Sequence, residues 1–439
     1  MAEFSRRDAL KALSATALSA SAGALIDRRA SAAQDLKYTP EKGAQLRVLR
    51  WKRFVQGEED QFLANTRKFS QVTGVNVRVD SENFEDIRPK AAVAANVGSG
   101  PDIVLGWYDD PQQYADKLVD LTELADYLGG KYGGWYDVAR QYCTRDGRWI
   151  AVGVGFLSGC IVYRKSMLQA AGFKEVPSDF PTFLKLLQAL KAKGTPSGFA
   201  LGNAVGDANA WCHWVLWAHG GKVVDENNRV VINSKETIAA LEYAKAMYQT
   251  FIPGTLSWLD PNNNKAFLAG EIALTLNGIS IYYAAKTSND AGVKALVPDI
   301  YHAPMPVGPV GRPTELNPFS PAFVFKFSKY PNAAKEYLRF MLEKEQFETW
   351  QKAAMGYVAQ PLKAYRSNPV WTEDPKHTPY RDTPERTLDS GYAGKLGPAS
   401  AALLADYVVV NMVAKAASGA ATPQEAAAEA EKRARRYYR

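Results

Sequence analysis

Three groups of residues early in the chain carry polar chemistry at strand-like ends. Trp107, Tyr108 and Asp109 follow the apolar run Asp102-Ile103-Val104-Leu105-Gly106. Arg53, Gln56 and Glu58 follow Leu46–Trp51, and Asp80 and Glu82 follow the alternating Val75, Val77 and Val79. Rings of this kind cover the apolar faces of a small solute, while carboxylates and amides take hydrogen bonds from its polar groups. Cleft sites combine such surfaces with a few placed polar groups. Each group also has an ordinary use. Asp109 can cap a turn near Pro111 with Trp107 as packing, and Arg53, Gln56 and Glu58 can form a salt-bridged surface loop. Asp80 and Glu82, two apart on a strand, point the same way and share either a polar group or water.

Catalytic chemistry finds less support. Asp109 and Glu58 could supply the two carboxylates of a glycosidase. Adjacent Asp109 and Asp110 point apart on an extended segment, however, and no other pairing is enforced by spacing. The chain has no G-x-S-x-G elbow, and its four histidines form no HExxH or other close ligand pair. Cys143, Cys160 and Cys212 are too few for a disulfide scaffold and too dispersed for zinc; one disulfide among them is conceivable. No haem, cluster or dinucleotide motif is present, so no cofactor or metal is expected.

The elements that must hold these residues alternate. Leu46–Trp51, a helical stretch over Glu59–Ser70, the Val75–Val79 strand, a small-residue helix over Ala91–Val97 and the buried run after Pro101 make a βαβ pattern, hence an open α/β sheet. Ligands of such sheets sit beyond the carboxyl ends of the strands, where the three groups above lie. Beyond Gly155 helices dominate, among them an amphipathic one carrying Ala334, Tyr337, Leu338, Met341 and Leu342. Near the end, helices are expected over Ala399–Ala417 and Pro423–Arg436.

The 439 residues, 46% hydrophobic and 23% charged, exclude a disordered or fibrous chain and suggest two or three domains. No run reaches the roughly 18 uninterrupted apolar residues of a membrane span. The formal charge is +7, and the first 32 residues carry two of those surplus charges. The basic run Lys432, Arg433, Arg435, Arg436 and Arg439 lacks the aromatic stripe of a nucleic-acid surface, and no nucleic-acid partner is expected. Ser5-Arg6-Arg7-Asp8, the charge-free Ala12–Ile26 and the small residues Ala30–Ala33 have the layout of an export signal, its paired arginines resembling the twin-arginine type. Residues 1–33 are therefore expected to be removed and the mature protein to lie in the periplasm.

Four segments, taken in order, resemble the extracellular solute-binding proteins of ABC importers, the group that includes maltose-binding protein. They are Gly100-Pro101-Asp102-Ile103-Val104 with Trp107-Tyr108-Asp109; Ile161-Val162-Tyr163-Arg164-Lys165; Phe267-Leu268-Ala269-Gly270-Glu271 through Asn277-Gly278; and Ser328-Lys329-Tyr330-Pro331-Asn332-Ala333-Ala334. The resemblance covers nearly the whole mature chain. It implies an α/β fold of two lobes, 34–153 with 303–345 and 154–302 with 346–439, gripping a ligand in the cleft between them. It implies a monomer that captures a sugar or polyol and delivers it unchanged to an inner-membrane ABC permease. The lobes are expected to rock about Gly153–Gly155 and His302–Pro306. The rival reading is an exported carbohydrate-active enzyme, a glycosidase or lyase.

By the same resemblance Trp107, Tyr108 and Asp109 match the first lobe's binding segment, and Asn209 and Trp211 the second lobe's aromatic segment, with Trp214 and Trp217 better explained as core. Asn277 and Gly278 lie where a strand meets the cleft. Ser280 stands where an aromatic often follows, a departure for which Tyr282 and Tyr283 are the compensating candidates. Asn317, Phe319, Ser320 and Tyr407 are further candidates against ordinary loop and core roles.

Overall fold

The apolar runs become the strands of two sheets. The computed structural model describes residues 36–52 and 54–439. The expected export signal and Arg53 lie outside the described residues, and Tyr38–Arg439 form one unit. In chain order the main strands are β1 (Gln45–Trp51), β2 (Asn76–Glu82), β3 (Ile103–Leu105), β4 (Val152–Phe156), β5 (Cys160–Arg164), β6 (Leu274–Asn277), β7 (Ile300–Ala303) and β8 (Phe319–Val324). The first sheet has the order β2-β1-β3-β8-β4, the second β6-β5-β7.

β1 runs parallel to β2 and β3, so Trp51, Glu82 and Leu105 end at one edge. β3 is buried throughout, as its continuous apolar run requires. Between β1 and β2 the helix Gln56–Thr73 buries Phe62 and Phe69 and stops at Gly74, whose φ of 74° suits a residue without a Cβ. β8 returns from the second half and inserts antiparallel between β3 and β4.

The chain passes between the sheets at Leu157-Ser158-Gly159 and again over 304–318. Asn317 braces the two passages: its side-chain oxygen accepts from the Gly159 N–H at 2.7 Å, and its amide donates to Thr387 at 3.0 Å. Gly153 and Gly155, read as hinge residues, lie inside β4. There they serve close packing: a Cβ on Gly155 would sit 2.2 Å from Val358 and one on Gly153 2.9 Å from Phe319.

The stretch that follows 345 also differs from expectation. Helix Lys344–Ala353 begins one residue after helix Pro331–Leu342 ends, so it stays in the same layer and packs on Gln56–Thr73. The Trp350 indole donates to the Glu58 carbonyl at 2.9 Å and Asn65 to the Gln346 carbonyl at 3.0 Å. Ala359 then bridges to Phe156 and Leu362 to Trp135, keeping this segment beside the first sheet.

The second half is helical. Every residue from Ala208 to Ala218 in helix Asp207–Ala218 is buried, and helices Lys235–Tyr248 and Val408–Ser418 pack against it. The last helices divide differently from the reading. Pro398–Ala405 and Val408–Ser418 are separated at Asp406-Tyr407, where Tyr407 takes φ 52°. Among the described residues Pro398–Ser418 is the one stretch with the length and apolarity of a membrane span, and 56% of it is buried in the protein. Cys143, Cys160 and Cys212 are buried free thiols.

Candidate functional site: a cleft between the two sheets

The carboxyl edge of the first sheet faces the second half across a narrow cleft. After β1 comes Phe54 and after β2 Phe84, whose rings meet edge to face at 4.9 Å. Behind them Trp107 stacks on Phe84 at 4.2 Å and lies 5.2 Å from Trp51, its indole donating to the Phe84 carbonyl at 3.0 Å. Trp107 is fully buried, so the ring that reaches the cleft is Phe84, and Trp107 supports it. The opposite wall contains Asp207, Asp260, Asn277, Gly278 and Ser280, with Leu157, Pro318 and Tyr357 at the floor.

The turn after β3 has three different jobs for three residues. Tyr108 takes φ 47° and reaches across the cleft, donating from its hydroxyl to the Val205 carbonyl at 3.3 Å. Asp109 is fully buried and accepts from Ser400 Oγ at 2.8 Å, while its other oxygen has no partner. Burial outweighs the nearby Arg88 charge and pushes its carboxyl up to about 6. Asp109 sits at the N-cap of the short helix Asp110–Gln113 but its side chain makes no capping bond; Asp110 accepts from the Trp107 N–H at 2.9 Å, upstream of the helix, and from Arg88 at 2.6 Å.

Several candidates are spoken for elsewhere. Glu58, fully buried, takes both its oxygens to Arg50 at 2.6 Å and one to Trp350 at 3.1 Å. Gln56 is exposed and donates to Asp60. Asp80 pairs with Arg47 and Arg78, and Glu82 with Lys90, around a separate shallow pocket floored by Val93 and Ala94. The two acids do point the same way, but β2 is the sheet's edge and they face the Ile87–Val97 helix rather than the cleft.

In the second half Asn277, Gly278 and Ser280 line the cleft together. Asn277 donates to Asn263 at 3.3 Å and to Asn264, and Asn264 donates to Ser280 at 2.9 Å. Asn209 is buried within its helix and donates to the Val205 carbonyl. Trp211 points into the core, donating to Ala200 at 2.6 Å between Phe199 and Phe251. Phe319 stacks on Tyr142 and packs on Phe156 inside the first sheet's core, and the Ser320 hydroxyl is buried without a partner. Tyr407, half-buried, is raised to about 12 by burial, with the Arg88 guanidinium opposing. Tyr283 accepts from the Gly57 N–H at 2.7 Å, linking the second half to the start of the first helix, and Tyr282 donates to Asp374.

Asp207 and Asp260 were not foreseen. Asp260 holds the start of helix Asp207–Ala218, accepting from the Asp207 N–H at 2.7 Å and from the Gly206 N–H at 3.1 Å. Asp207 accepts from Asn263 at 2.6 Å. Burial first and the Asp260 charge second drive the Asp207 carboxyl well above its usual range, and burial raises Asp260 as well. An acidic residue opening an apolar helix is a sequence signal, but nothing in the spacing brings these two together.

Residues 65–379 match the family described as bacterial extracellular solute-binding protein. The chain belongs to that family. No curated protein matches its sequence. Three solved structures are similar in fold: the GacH receptor of Streptomyces glaucescens, solved unliganded and with acarbose; maltose-bound MalE3 of T. maritima; and an ABC transporter solute-binding protein of Agrobacterium radiobacter K84 with ribitol. GacH is 20% identical, with a TM-score of 0.75 over 91% of this chain and 99% of its own. MalE3 is 20% identical, with a TM-score of 0.76 over 90% and 99%, and the Agrobacterium protein 19%, with 0.75 over 90% and 99%. This solute-binding protein therefore has the two-lobed α/β fold.

The cleft is nearly shut. The open space among Phe54, Phe84, Asp207, Asn277 and Tyr357 is about 30 Å³, against roughly 300 Å³ or more for a small-molecule pocket. The contacts Tyr108–Val205, Gly57–Tyr283 and Asp109–Ser400 hold the two sides together.

Proposed function

We propose that this protein is the substrate-binding component of an ABC importer that captures a sugar or polyol between its lobes and passes it, unchanged, to an inner-membrane permease. The observation that carries the reading is the pairing of an aromatic wall, Phe54 and Phe84 backed by Trp107, with a polar wall of Asp207, Asp260, Asn277 and Ser280. Rings suit the C–H faces of a sugar, and the acids and amides suit its hydroxyls. The acarbose, maltose and ribitol found in the similar structures support the same class of solute.

In this reading the first lobe comprises roughly 36–156 and 319–367 and the second 160–303 and 368–439, with the hinge at 157–159 and 304–318. Of the residues expected at the site, Asn277, Gly278 and Ser280 touch the solute, while Trp107, Tyr108 and Asp109 position the wall and the closure contacts. Ligand shifts the lobes together only by binding the closed arrangement better than the open one. Export by the twin-arginine route fits Arg6 and Arg7; replacing both with Lys should leave unprocessed precursor in the cytoplasm, and normal processing would refute that route.

A thermal-shift screen of sugars and polyols tests the function. A true ligand at 100 times its dissociation constant adds about 2.7 kcal/mol of stability. Absence of any shift across mono- and oligosaccharides and polyols would remove the reading.

A further inference from the structure

The two walls of the cleft differ in charge. Asp207 and Asp260 stand together on the second wall, and among the described residues no Lys, Arg or His lines the cleft. On the other wall Arg88 is bound to Asp110 at 2.6 Å and also faces Asp109, so its own half already neutralises it. Glu85 adds a further negative charge towards Asp260.

The two acids are not equivalent. Two backbone N–H groups at the start of helix Asp207–Ala218, those of Gly206 and Asp207, satisfy Asp260, and an anion at a helix N-terminus is favoured by the helix dipole. Asp207 has one amide donor, Asn263, and a like charge beside it. Closing the lobes on a purely neutral solute forces the pair either to carry an uncompensated charge or to hold a proton, and either state costs free energy. Opposite it stand the rings of Phe54 and Phe84, whose faces attract a desolvated cation.

We infer that the preferred solute carries an ammonium group, as an amino sugar or an aminated polyol does, with its nitrogen at Asp207 and Asp260 and its carbon frame against Phe84 and Phe54. This rests on the sugar or polyol reading above and narrows it. In the ligand-free closed form the acid pair retains a proton because two adjacent buried carboxylates resist ionising together. The ammonium takes that proton's place, and Asn277 and Ser280 remain for hydroxyls.

Isothermal titration of the mature protein at pH 7 with matched solutes decides it. The pairs are D-glucosamine against D-glucose and N-acetyl-D-glucosamine, and 1-amino-1-deoxy-D-sorbitol against D-sorbitol, with spermidine as a cation lacking the sugar frame. The charged member of each pair should bind at least tenfold more tightly. Asp207→Asn should erase that preference while the variant melts at the same or a higher temperature, since the amide removes the buried group that must otherwise share a proton. The N-acetyl comparison needs no variant, so a folding defect would not spoil the result. Equal or tighter binding of the neutral members overturns the inference and leaves the sugar reading standing. Spermidine binding alone overturns the amino-sugar inference together with the sugar reading and leaves only an acidic pocket for cations. If no solute in the set binds, both fall.

Discussion

The buried charges of the two walls are arranged on opposite principles. On the first wall Glu58 holds Arg50, and Asp110 holds Arg88 with Asp109 beside it. On the second wall Asp207 and Asp260 have backbone and amide donors and each other. A wall whose charges are internally matched can be rigid without ligand. A wall that gathers like charge is completed only by what binds there. The comparison separates scaffold from recognition more sharply than residue type does, since both walls are built from carboxylates at the ends of strands or the starts of helices.

The largest effect should come from breaking the first wall's pairing. Glu58→Gln leaves Arg50, fully buried and stacked over Phe62 at 4.2 Å, without its counter-ion. Breaking a buried pair from one side costs about 3–5 kcal/mol, and urea unfolding should register a loss of that size. The double change Arg50→Met with Glu58→Leu should recover most of it, because well-packed apolar residues often replace a buried ion pair at little cost. A Glu58→Gln protein of unchanged stability but weakened solute binding would put Glu58 back among the recognition residues and dissolve the contrast.

The sheet scaffold was legible in the sequence because its signals are local. The apolar run Ile103-Val104-Leu105 and the alternating Val75, Val77 and Val79 each announce a strand over a few residues, and parallel order then fixes which loops meet. The roles of the loop residues were not local. Trp107 and Phe84 are 23 positions apart, and only their stacking decides that Phe84 meets the cleft while Trp107 backs it. Asp207 and Asp260 are 53 apart and meet through a backbone bond that no spacing rule contains. Asn277 and Gly278 lie along the cleft with Ser280, the residue that departs from the family pattern, whereas Trp211 turns its ring into the core. The helix break at Asp406-Tyr407 escaped notice because the apolar pattern continues through it and only the backbone of Tyr407 departs.

Asp109 tests the closure contact rather than either wall alone. In the closed protein it is surrounded by Arg88 and Asp110 from its own half, Ser400 and Ser390 from the C-terminal segment, and the rings of Tyr142 and Tyr438. Burial raises its carboxyl from 3.8 to about 6, so the native state holds a proton that the unfolded chain releases. Its contribution is therefore full below about pH 4 and is lost as the pH rises through 6. At roughly 1.4 kcal/mol per unit, the change is on the order of 2–3 kcal/mol. Asp109→Asn should unfold at higher denaturant than the parent at pH 7, with the difference closing by pH 4. A variant less stable than the parent at pH 7 would mean that the attraction of Arg88 outweighs burial.

The smallest effect should come from Tyr283, which joins the walls without belonging to the charge pattern of either. Its hydroxyl accepts from the Gly57 N–H at 2.7 Å, at the start of the first helix, where backbone donors lack partners within the helix. When the lobes part, water takes over that N–H, so the bond favours closure by the net value of one hydrogen bond, about 1 kcal/mol. Tyr283→Phe keeps the ring, which is largely buried, and removes the acceptor. Solute affinity should fall by roughly fivefold, given that 1.4 kcal/mol is a factor of ten. The melting temperature should scarcely move, and small-angle scattering of the ligand-free variant should give a larger radius of gyration than the parent. A fall in melting temperature with no loss of affinity would place Tyr283 in the packing of its own half, and the closure would then rest on Tyr108 and Asp109 alone.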